Sequence, residues 1–207
     1  MKNNGFNLVC LDLEGVLVPE IWIEFANKTN IPELKKTTRD EPDYDVLMKY
    51  RLEILAKHNL GLHDIQNVIA TISPLPGAKE FVRFLRENYQ LIILSDTFNE
   101  FAKPLMQQLD FPTIFCHALE ADKNSGKIIN YHLRMPNQKQ EAVKRFRQLN
   151  YNVVAAGDSY NDTTMLKEAN AGFLFNPPEN VIKEFPQFAV AKNYDDLKKY
   201  ITEFFDK

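Results

Sequence analysis

Two carboxylates stand at the end of an apolar run near the start of the chain. The segment LVCLDLEGVLVPE, residues 8–20, carries Asp12 and Glu14 two positions apart, followed by Gly15. Side chains two apart on a strand point to the same face, and acids are almost never fully buried without a partner. The pair therefore indicates a metal site, an acid/base pair or a nucleophile at the carboxyl end of a buried strand. An acidic turn is the alternative interpretation.

Similar polar groups end two later apolar segments, and ligands of open α/β sheets bind outside the carboxyl ends of the strands. Clustered carboxylates repel one another unless a cation lies among them, and oxygen ligands with room for phosphate are typical of Mg²⁺. Zn²⁺ would need His or Cys ligands, and the histidines show no ligand spacing, so we interpret them as surface or core residues. The polar groups are Ser95, Asp96 and Thr97, then Asp158, Asn161 and Asp162; the histidines are His58, His63, His117 and His132.

The elements that would hold these groups alternate along the chain. Four short apolar segments are typical of strands in a parallel sheet that is covered on both faces. Helical patterns such as AKEFVRFLREN and EAVKRFRQL separate the later ones. Strands that alternate with helices predict an α/β fold with a doubly wound, Rossmann-like sheet. The four segments are NLVCLDL, QLIILSD, NVVAAGD and AGFLF.

Residues 20–72 break this alternation, since they contain no convincing strand. IWIEFANKT, DVLMKYRLEILAKH and HDIQNVIATI carry helical spacing, and SPLPG at 73–77 indicates a return hinge. We expect a helical cap, 19–73, inserted after the first strand into a core formed by 1–18 and 74–207. Two further predictions are a β-hairpin in IFCHALEADKNSGKIINYHL, with its turn at 124–126, and a terminal amphipathic helix in YDDLKKYITEFF.

The composition excludes several partners. A formal net charge of −3 with mixed signs and no basic stripe gives no indication of nucleic-acid binding. No apolar stretch approaches the roughly 20 residues of a membrane helix, and the N-terminal segment does not resemble a signal peptide, so we expect a cytoplasmic protein without a membrane partner. Cys10 and Cys116 are expected as reduced core residues, with a disulfide as the alternative. The oligomeric state stays open, with a homodimer as one option.

The polar groups occur in an order that resembles the haloacid dehalogenase-like phosphohydrolases. The first motif of that family, D-x-D-x-[TV], is similar to DLEGV at 12–16, and a Ser or Thr that ends the next strand is similar to Ser95. A Lys on a later helix corresponds to Lys139 in NQKQEAV, and a final acid pair to Asp158 and Asp162 in GDSYND. The resemblance spans nearly the whole chain and implies a helical cap between the first two motifs.

Within that family, the chain is similar to the phosphoserine phosphatase branch. The phrases LDLEGVLVPEIW, DYDVLMK and AAGDSYNDTTML are closest to a variant that also transfers phosphate from phosphoserine to homoserine. The branch has an acid at the position of Glu20, and an aromatic residue and an Arg at those of Tyr44 and Arg51. One departure is Glu14, where most members have Asp. The variant shares this departure, which makes the acid/base one methylene longer.

The resemblance implies a Mg²⁺-dependent enzyme that moves phosphate from phosphoserine to an aspartate and then to water or homoserine. Without the resemblance, a solvated cap residue is the simpler interpretation of Arg51, and a helix N-terminal acid that of Glu20. Alternative functions are a phosphatase for a nucleotide or sugar phosphate and a non-catalytic phosphate-sensing domain. The implied roles are Asp12, Glu14 and Lys139 in catalysis; Ser95, Asp96 and Lys139 in phosphate binding; Asp12, the Glu14 carbonyl and Asp158 as metal ligands, backed by Asp162; and Glu20, Arg51 and Asn161 in substrate binding.

Overall fold

The computed structural model of the chain describes residues 6–37, 40–41 and 43–207. Within them, strands β1 (Phe6–Leu11), β2 (Gln90–Phe98), β3 (Thr113–Ala121), β4 (Ile128–His132), β5 (Tyr151–Gly157), β6 (Ala171–Phe175) and β7 (Ala189–Ala191) form one sheet. Its order is β4-β3-β2-β1-β5-β6-β7, and neighbours run parallel except for β3 and β4. The predicted α/β class is confirmed, and β1 lies at the centre.

Helices cover both faces of this sheet. Alternate residues of β1 belong to two different apolar clusters, with Val9 and Leu11 in one and Leu8 and Cys10 in the other. This alternation explains why the whole strand is apolar, since each face packs against helices. The helices are α1 (Ile21–Thr29), α2 (Tyr44–Lys57), α3 (Leu62–Ile69), α4 (Ala78–Asn88), α5 (Asn99–Gln108), α6 (Gln138–Gln148), α7 (Thr163–Glu168), α8 (Glu179–Glu184) and α9 (Tyr194–Phe205), with 3-10 turns at Pro32–Lys35 and Tyr160–Asp162.

The insert after β1 is helical, as the sequence predicts. Its helices are α1, α2 and α3. It packs on the core where Trp22 of α1 meets Phe101 of α5, with the two ring centroids 5.5 Å apart. The buried residues of the insert share one apolar cluster with β1. The division into a core and a cap at 19–73 remains a prediction, because the insert and one face of the sheet pack as a continuous unit.

The hairpin predicted at 114–133 is present, formed by β3 and β4, but it is part of a larger arrangement. The start of β3 pairs in parallel with β2, and its end pairs antiparallel with β4. The turn is organised by Asp122, whose Oδ1 accepts from the N–H groups of Asn124 and Ser125. Sequence reasoning missed the parallel half of β3, which becomes a strand through its pairing with β2, and the strand β7, whose three apolar residues are too few to indicate a strand.

Two sequence predictions concern single features of the chain. Cys10 and Cys116 are buried and free, so the disulfide alternative is wrong. No helix in the described part of the chain combines the length and the apolar character that crossing a membrane requires.

Candidate active site

The predicted site residues meet where the central strands end. Asp12 directly follows β1, Ser95 lies near the end of β2, and Asp158 directly follows β5. Lys139 enters from the first turn of α6. The chain continues from β1 to β2 on one side and later to β5 on the other, so the strand order reverses next to β1. Open α/β sheets bind ligands at the carboxyl ends of the strands at such a point.

The turn after β1 explains why the paired acids are followed by a glycine. The Asp12 N–H donates to the Ala156 carbonyl at 3.0 Å, which extends the pairing with β5 by one residue. Gly15 has φ +74°, and a Cβ there would lie 2.4 Å from the carboxyl carbon of Asp158. Only glycine suits both the conformation and the space. The turn can therefore lie directly against the carboxylate that follows β5.

Lys139 places a cation among the acids. Its Nζ lies 2.8 Å from Asp12, 2.8 Å from Asp162 and 3.6 Å from Asp96, and the residue is only 4% exposed. Although burial opposes its charge, the carboxylates of Asp12 and Asp162 raise the pKa of Lys139 well above its usual value. The ammonium group therefore stays charged beside Asp12.

Asp162 holds the loop that follows β5. Its Oδ2 accepts from the N–H groups of Asp158 and Ser159, both at 3.1 Å, while its Oδ1 accepts from Lys139 at 2.8 Å. A Cβ on Gly157 would lie 2.3 Å from the Asp162 carboxyl carbon, so the strand end approaches this side chain closely. With both oxygens engaged, Asp162 is suited to orient Lys139 and the loop.

Asp12 and Asp158 present carboxylate oxygens to a common space. Together with Asp162 they offer ligand atoms that all lie within 4.8 Å of one another. Burial and then the Asp162 charge raise the pKa of Asp12 well above its usual range and that of Asp158 to about 7. Acids in such surroundings are stabilised by a cation, and this oxygen donor set fits Mg²⁺. The hydrogen bonds of Asp162 make it the least suited of the three as a ligand.

Ser95 and Asp96 form a second wall of the site. The Ser95 Oγ accepts from the Thr97 N–H at 3.3 Å, so its hydroxyl hydrogen can donate elsewhere. The Asp96 carboxylate accepts from Gln138 at 3.0 Å and from Asn161 at 3.3 Å. Burial opposes its charge, but Lys139 and these hydrogen bonds lower the pKa of Asp96. Asp96 is thus a fixed anion whose main chain, not its side chain, suits an anionic ligand.

Glu14 and Glu20 lie within hydrogen-bonding reach of each other. Glu14 Oε2 also accepts from the Ile21 N–H at 2.9 Å, at the start of α1. Burial and then the Glu20 charge raise the pKa of Glu14 to about 8. Glu14 therefore holds a proton at neutral pH, which is the state that a general acid needs before it protonates a leaving group.

Arg51 reaches the site from α2 and is only 6% exposed. Its guanidinium carbon lies 4.5 Å from the centre of the Trp22 ring, and one terminal nitrogen donates to the Lys36 carbonyl at 2.9 Å. Among the described residues, its buried Nε–H has no hydrogen-bond partner. Burial lowers the pKa of Arg51 to about 10, so it remains a cation at neutral pH. A buried cation with an unused donor indicates an anionic ligand and excludes the solvated cap residue.

The site is one cavity of about 560 Å³ between the insert and the sheet edge, a size typical of small-molecule sites. The insert also reaches the Ser95–Asp96 wall directly, since the Tyr44 hydroxyl donates to the Asp96 carbonyl at 3.3 Å. All the residues predicted to touch substrate, phosphate or metal line the cavity: Asp12, Glu14, Glu20, Arg51, Ser95, Asp96, Lys139, Asp158 and Asn161.

Sequence reasoning missed Gln138, which is buried behind the Ser95–Asp96 wall. No motif marks it, and its only sequence signal is its position beside Lys139. His117 is buried, in agreement with one of the two predicted settings, and its Nε2 lies 3.6 Å from Asp96. Histidine spacing could not reveal this contact, because the chain between the two residues forms a helix and part of a strand.

Sequence comparison identifies relatives across most of the chain. A family model of haloacid dehalogenase-like hydrolases matches residues 6–170. A Pseudomonas aeruginosa protein named phosphoserine phosphatase ThrH is 63% identical over 192 residues, which cover 93% of each chain. A phosphoserine phosphatase of Pseudomonas syringae pv. tomato is 60% identical over 93% of this chain and 81% of its own length.

Solved structures share the fold. A substrate-bound phosphoserine phosphatase complex matches with a TM-score of 0.77 at 20% identity, covering 94% of this chain and 98% of that one. A phospho-aspartyl intermediate analogue of phosphoserine phosphatase gives a TM-score of 0.77 at 20% identity over 95% and 99% of the two chains. At this identity, the likeness establishes the architecture alone.

Proposed function

Because the chain belongs to the haloacid dehalogenase-like hydrolase family, we propose that it is a Mg²⁺-dependent phosphoserine phosphatase that can also transfer the phosphate to homoserine. One observation carries this proposal. A single cavity holds a carboxylate paired with a buried lysine at one end, and a buried arginine near a second acid at the other. The two relatives that share at least 60% identity are named phosphoserine phosphatases, which supports the same substrate.

Asp12 is the nucleophile in this mechanism. Its carboxylate attacks phosphorus, the bond from phosphorus to the serine oxygen breaks, and an aspartyl-phosphate forms. Glu14 gives its proton to the departing serine oxygen. In the second step, Glu14 takes a proton from water or from an acceptor alcohol, whose oxygen then attacks phosphorus and releases Asp12.

The phosphate is held by the walls of the cavity. Ser95 donates through its hydroxyl, Lys139 through its ammonium group, and the main chain at Asp96 contributes an N–H. Such preorganised donors stabilise charge that develops on phosphate oxygens. Asp12, Asp158 and the Glu14 carbonyl would hold Mg²⁺, which when bound offsets the negative charge of the phosphate and of Asp12.

The amino-acid part of the substrate fits the insert side. Arg51 is suited to the substrate carboxylate, since hydrogen bonds from guanidinium to carboxylate are strong and directional. Glu20 takes the ammonium group, and Asn161, whose amide donates to Asp96, assists in binding the substrate. This pairing of a cation with an acid favours an amino-acid head group over the nucleotide and sugar phosphates that form the alternative substrates.

Homoserine as acceptor follows from the same pocket. It carries the head group of serine with one extra methylene, a difference worth only about 1–3 kcal/mol of discrimination. Once serine has left, homoserine can occupy the same contacts and present its hydroxyl to the aspartyl-phosphate. An aligned acceptor can show an effective molarity of roughly 10⁵ M or more, which competes with water.

A non-catalytic phosphate-sensing domain is the remaining alternative. Phosphate sensing requires neither a protonated Glu14 nor an Asp12 that is paired with a lysine. The intact set of Asp12, Glu14, Ser95, Lys139 and Asp158 therefore favours the enzyme.

The test is product analysis with phosphoserine and Mg²⁺, with and without saturating homoserine. We expect inorganic phosphate alone in the first case and phosphohomoserine in addition in the second. If phosphate is released at a rate that homoserine does not change, and no phosphohomoserine forms, the transferase part of the proposal is wrong. If phosphoserine is not consumed under either condition, the substrate assignment is wrong.

A further inference from the structure

Gln138 lies buried behind the wall that Ser95 and Asp96 form. It is 4% exposed, and its Nε2 lies 2.6 Å from the Ser95 carbonyl and 3.0 Å from the Asp96 carboxylate. Both partners are acceptors only, so the amide nitrogen must face them. A single NH₂ group thus uses its two hydrogens to fasten two consecutive residues of β2.

The position of Gln138 in the chain links this wall to the nucleophile. Gln138 is the first residue of α6 and Lys139 is the second, and Asn137 before them has left-handed backbone angles of φ 50° and ψ 39°. Both side chains are buried, one against β2 and the other against Asp12. A single helical turn therefore sets the distance between the Ser95–Asp96 wall and the carboxylate that would attack.

The other contacts of Asp96 do not replace this link. The Arg134 N–H donates to His117 Nδ1 at 3.1 Å, so the hydrogen of the neutral ring is on Nε2, 3.6 Å from Asp96. Asn161 contacts the other carboxylate oxygen. His117 and Asn161 hold only the Asp96 side chain, and the Tyr44 hydroxyl binds the Asp96 carbonyl from the insert, whereas Gln138 binds the main chain at Ser95.

We infer that Gln138 is a positioning residue for the phosphate: its amide fixes the main chain of Ser95 and Asp96 so that their donors point at the phosphate together with Lys139. The inference rests on the proposed function in taking Ser95 as a phosphate ligand. Without the amide, the buried Ser95 carbonyl loses its side-chain donor, and the wall is held less firmly. The lost hydrogen bond supports the proposed phosphate ligands and not the amino-acid contacts. Its removal should therefore lower the turnover of every phosphate ester by the same factor.

The test compares Gln138→Met with Gln108→Met. Methionine keeps the unbranched shape of glutamine and removes the amide. Gln108 is a matched control, because its Nε2 donates to the Ile72 carbonyl at 2.8 Å outside the cavity. For each variant, kcat and KM are measured with phosphoserine and with p-nitrophenyl phosphate, the inhibition constant is measured for inorganic phosphate, and the Tm is recorded.

We expect Gln138→Met to lower kcat/KM by roughly 10- to 100-fold, the usual range for the loss of a group that orients a ligand-binding residue. The factor should be equal for both substrates, and inhibition by inorganic phosphate should weaken. Gln108→Met should change none of these values, even where its Tm falls. Wild-type kinetics and phosphate inhibition in Gln138→Met would overturn the inference.

A second variant covers the case in which Gln138→Met does not fold. Gln138→Asn keeps the amide but is one methylene too short to reach both acceptors, and we expect the same pattern of loss. Unchanged phosphate inhibition in this variant would overturn the inference. Failure of the wild type to use phosphoserine would instead refute the proposed substrate, while p-nitrophenyl phosphate and inorganic phosphate still report on Gln138.

Discussion

At the scale of single residues, the two paired acids lie beside different partners. Asp12 lies 2.8 Å from the Lys139 ammonium group, which partly offsets the effects of burial and of the Asp162 charge on the pKa of Asp12. Glu14 lies against another carboxyl group, and the pKa raised to about 8 favours the protonated acid. A cation beside one acid and a second carboxyl group beside the other suit the roles of nucleophile and general acid that we propose. The extra methylene of Glu14 lets it reach the N–H of Ile21 at the start of the insert.

Arg51 gives the first prediction. Arg51→Ala should reduce kcat/KM for phosphoserine by roughly 10- to 100-fold, since a charge-assisted hydrogen bond is worth about 1.5–3 kcal/mol. It should leave turnover of p-nitrophenyl phosphate nearly unchanged, because that ester has no carboxylate for the guanidinium. Steady-state kinetics with both substrates measure this difference.

Arg86→Ala is the control, since Arg86 is exposed and donates to the Asp110 carbonyl away from the site. Equal losses on both substrates would show that Arg51 serves the fold or the phosphate.

At the scale of elements, the insert is fixed to the core by aromatic packing that also holds Arg51. Trp22 of α1 lies edge-on to Phe101 of α5 at 5.5 Å and carries the guanidinium on its face. A single side chain therefore contributes both to the attachment of α1 and to the orientation of Arg51.

Trp22 gives the second prediction. Trp22→Ala should lower the free energy of unfolding by roughly 3–5 kcal/mol, the usual cost of truncating a buried aromatic residue, and should raise KM for phosphoserine. Urea unfolding and kinetics below the transition measure the two effects. Phe6→Ala is the control, because Phe6 is 64% exposed. A Trp22→Ala protein with wild-type stability would contradict the packing described here.

Element boundaries show where sequence patterns succeed and where they stop. The helices α1, α4 and α9 match their predicted segments because each has an apolar face with a clear 3.6-residue period. The parallel half of β3 was missed because its pattern there is mixed and only pairing with β2 makes it a strand. Such pairing is a tertiary contact, which local periodicity does not contain.

At the scale of the whole molecule, a well-packed sheet holds the buried Asp12 and Asp162 beside Lys139, with the half-buried Asp158 close to both acids. In the metal-free protein this arrangement costs stability. Because the pKa of Asp158 is raised from its usual acidic range to about 7 in the folded state, the stability falls as the pH rises through that interval, and the loss is complete above pH 7. Binding of a cation to the folded state should restore it.

Metal binding gives the third prediction. At pH 8, Mg²⁺ at a hundred times its Kd should raise the stability by about 2.7 kcal/mol, or the Tm by roughly 5–10 °C. Asp158→Asn should abolish this shift and should be at least as stable as the metal-free wild type, since it removes a repelled charge. Thermal unfolding with and without Mg²⁺ measures both. Asp195→Asn is the control, because Asp195 is almost fully exposed. An undiminished Mg²⁺ shift in Asp158→Asn would place the metal elsewhere.

The sequence predicts the residues that line the site better than the residues that hold them in place. Asp12, Ser95 and Asp158 are detectable because they lie at or near strand ends, which converge by topology. Lys139 is detectable because it occupies the position of the family's helical lysine. Gln138 is not detectable, since its partner Ser95 lies 43 positions away and an amide to carbonyl bond leaves no pattern in the chain. The stacking of Arg51 on Trp22 is hidden for the same reason.

The most direct test of the central claim is to trap the aspartyl-phosphate. The wild type and Asp12→Asn are mixed with phosphoserine and Mg²⁺, quenched in acid within the first turnover, and analysed by peptide mass spectrometry. The account predicts a phosphoryl group on Asp12 in the wild type. It also predicts none in Asp12→Asn, whose circular dichroism spectrum stays normal and whose turnover falls by roughly 10⁴-fold or more. Turnover of Asp12→Asn within tenfold of wild type, or a phosphoryl group on another residue, would contradict it.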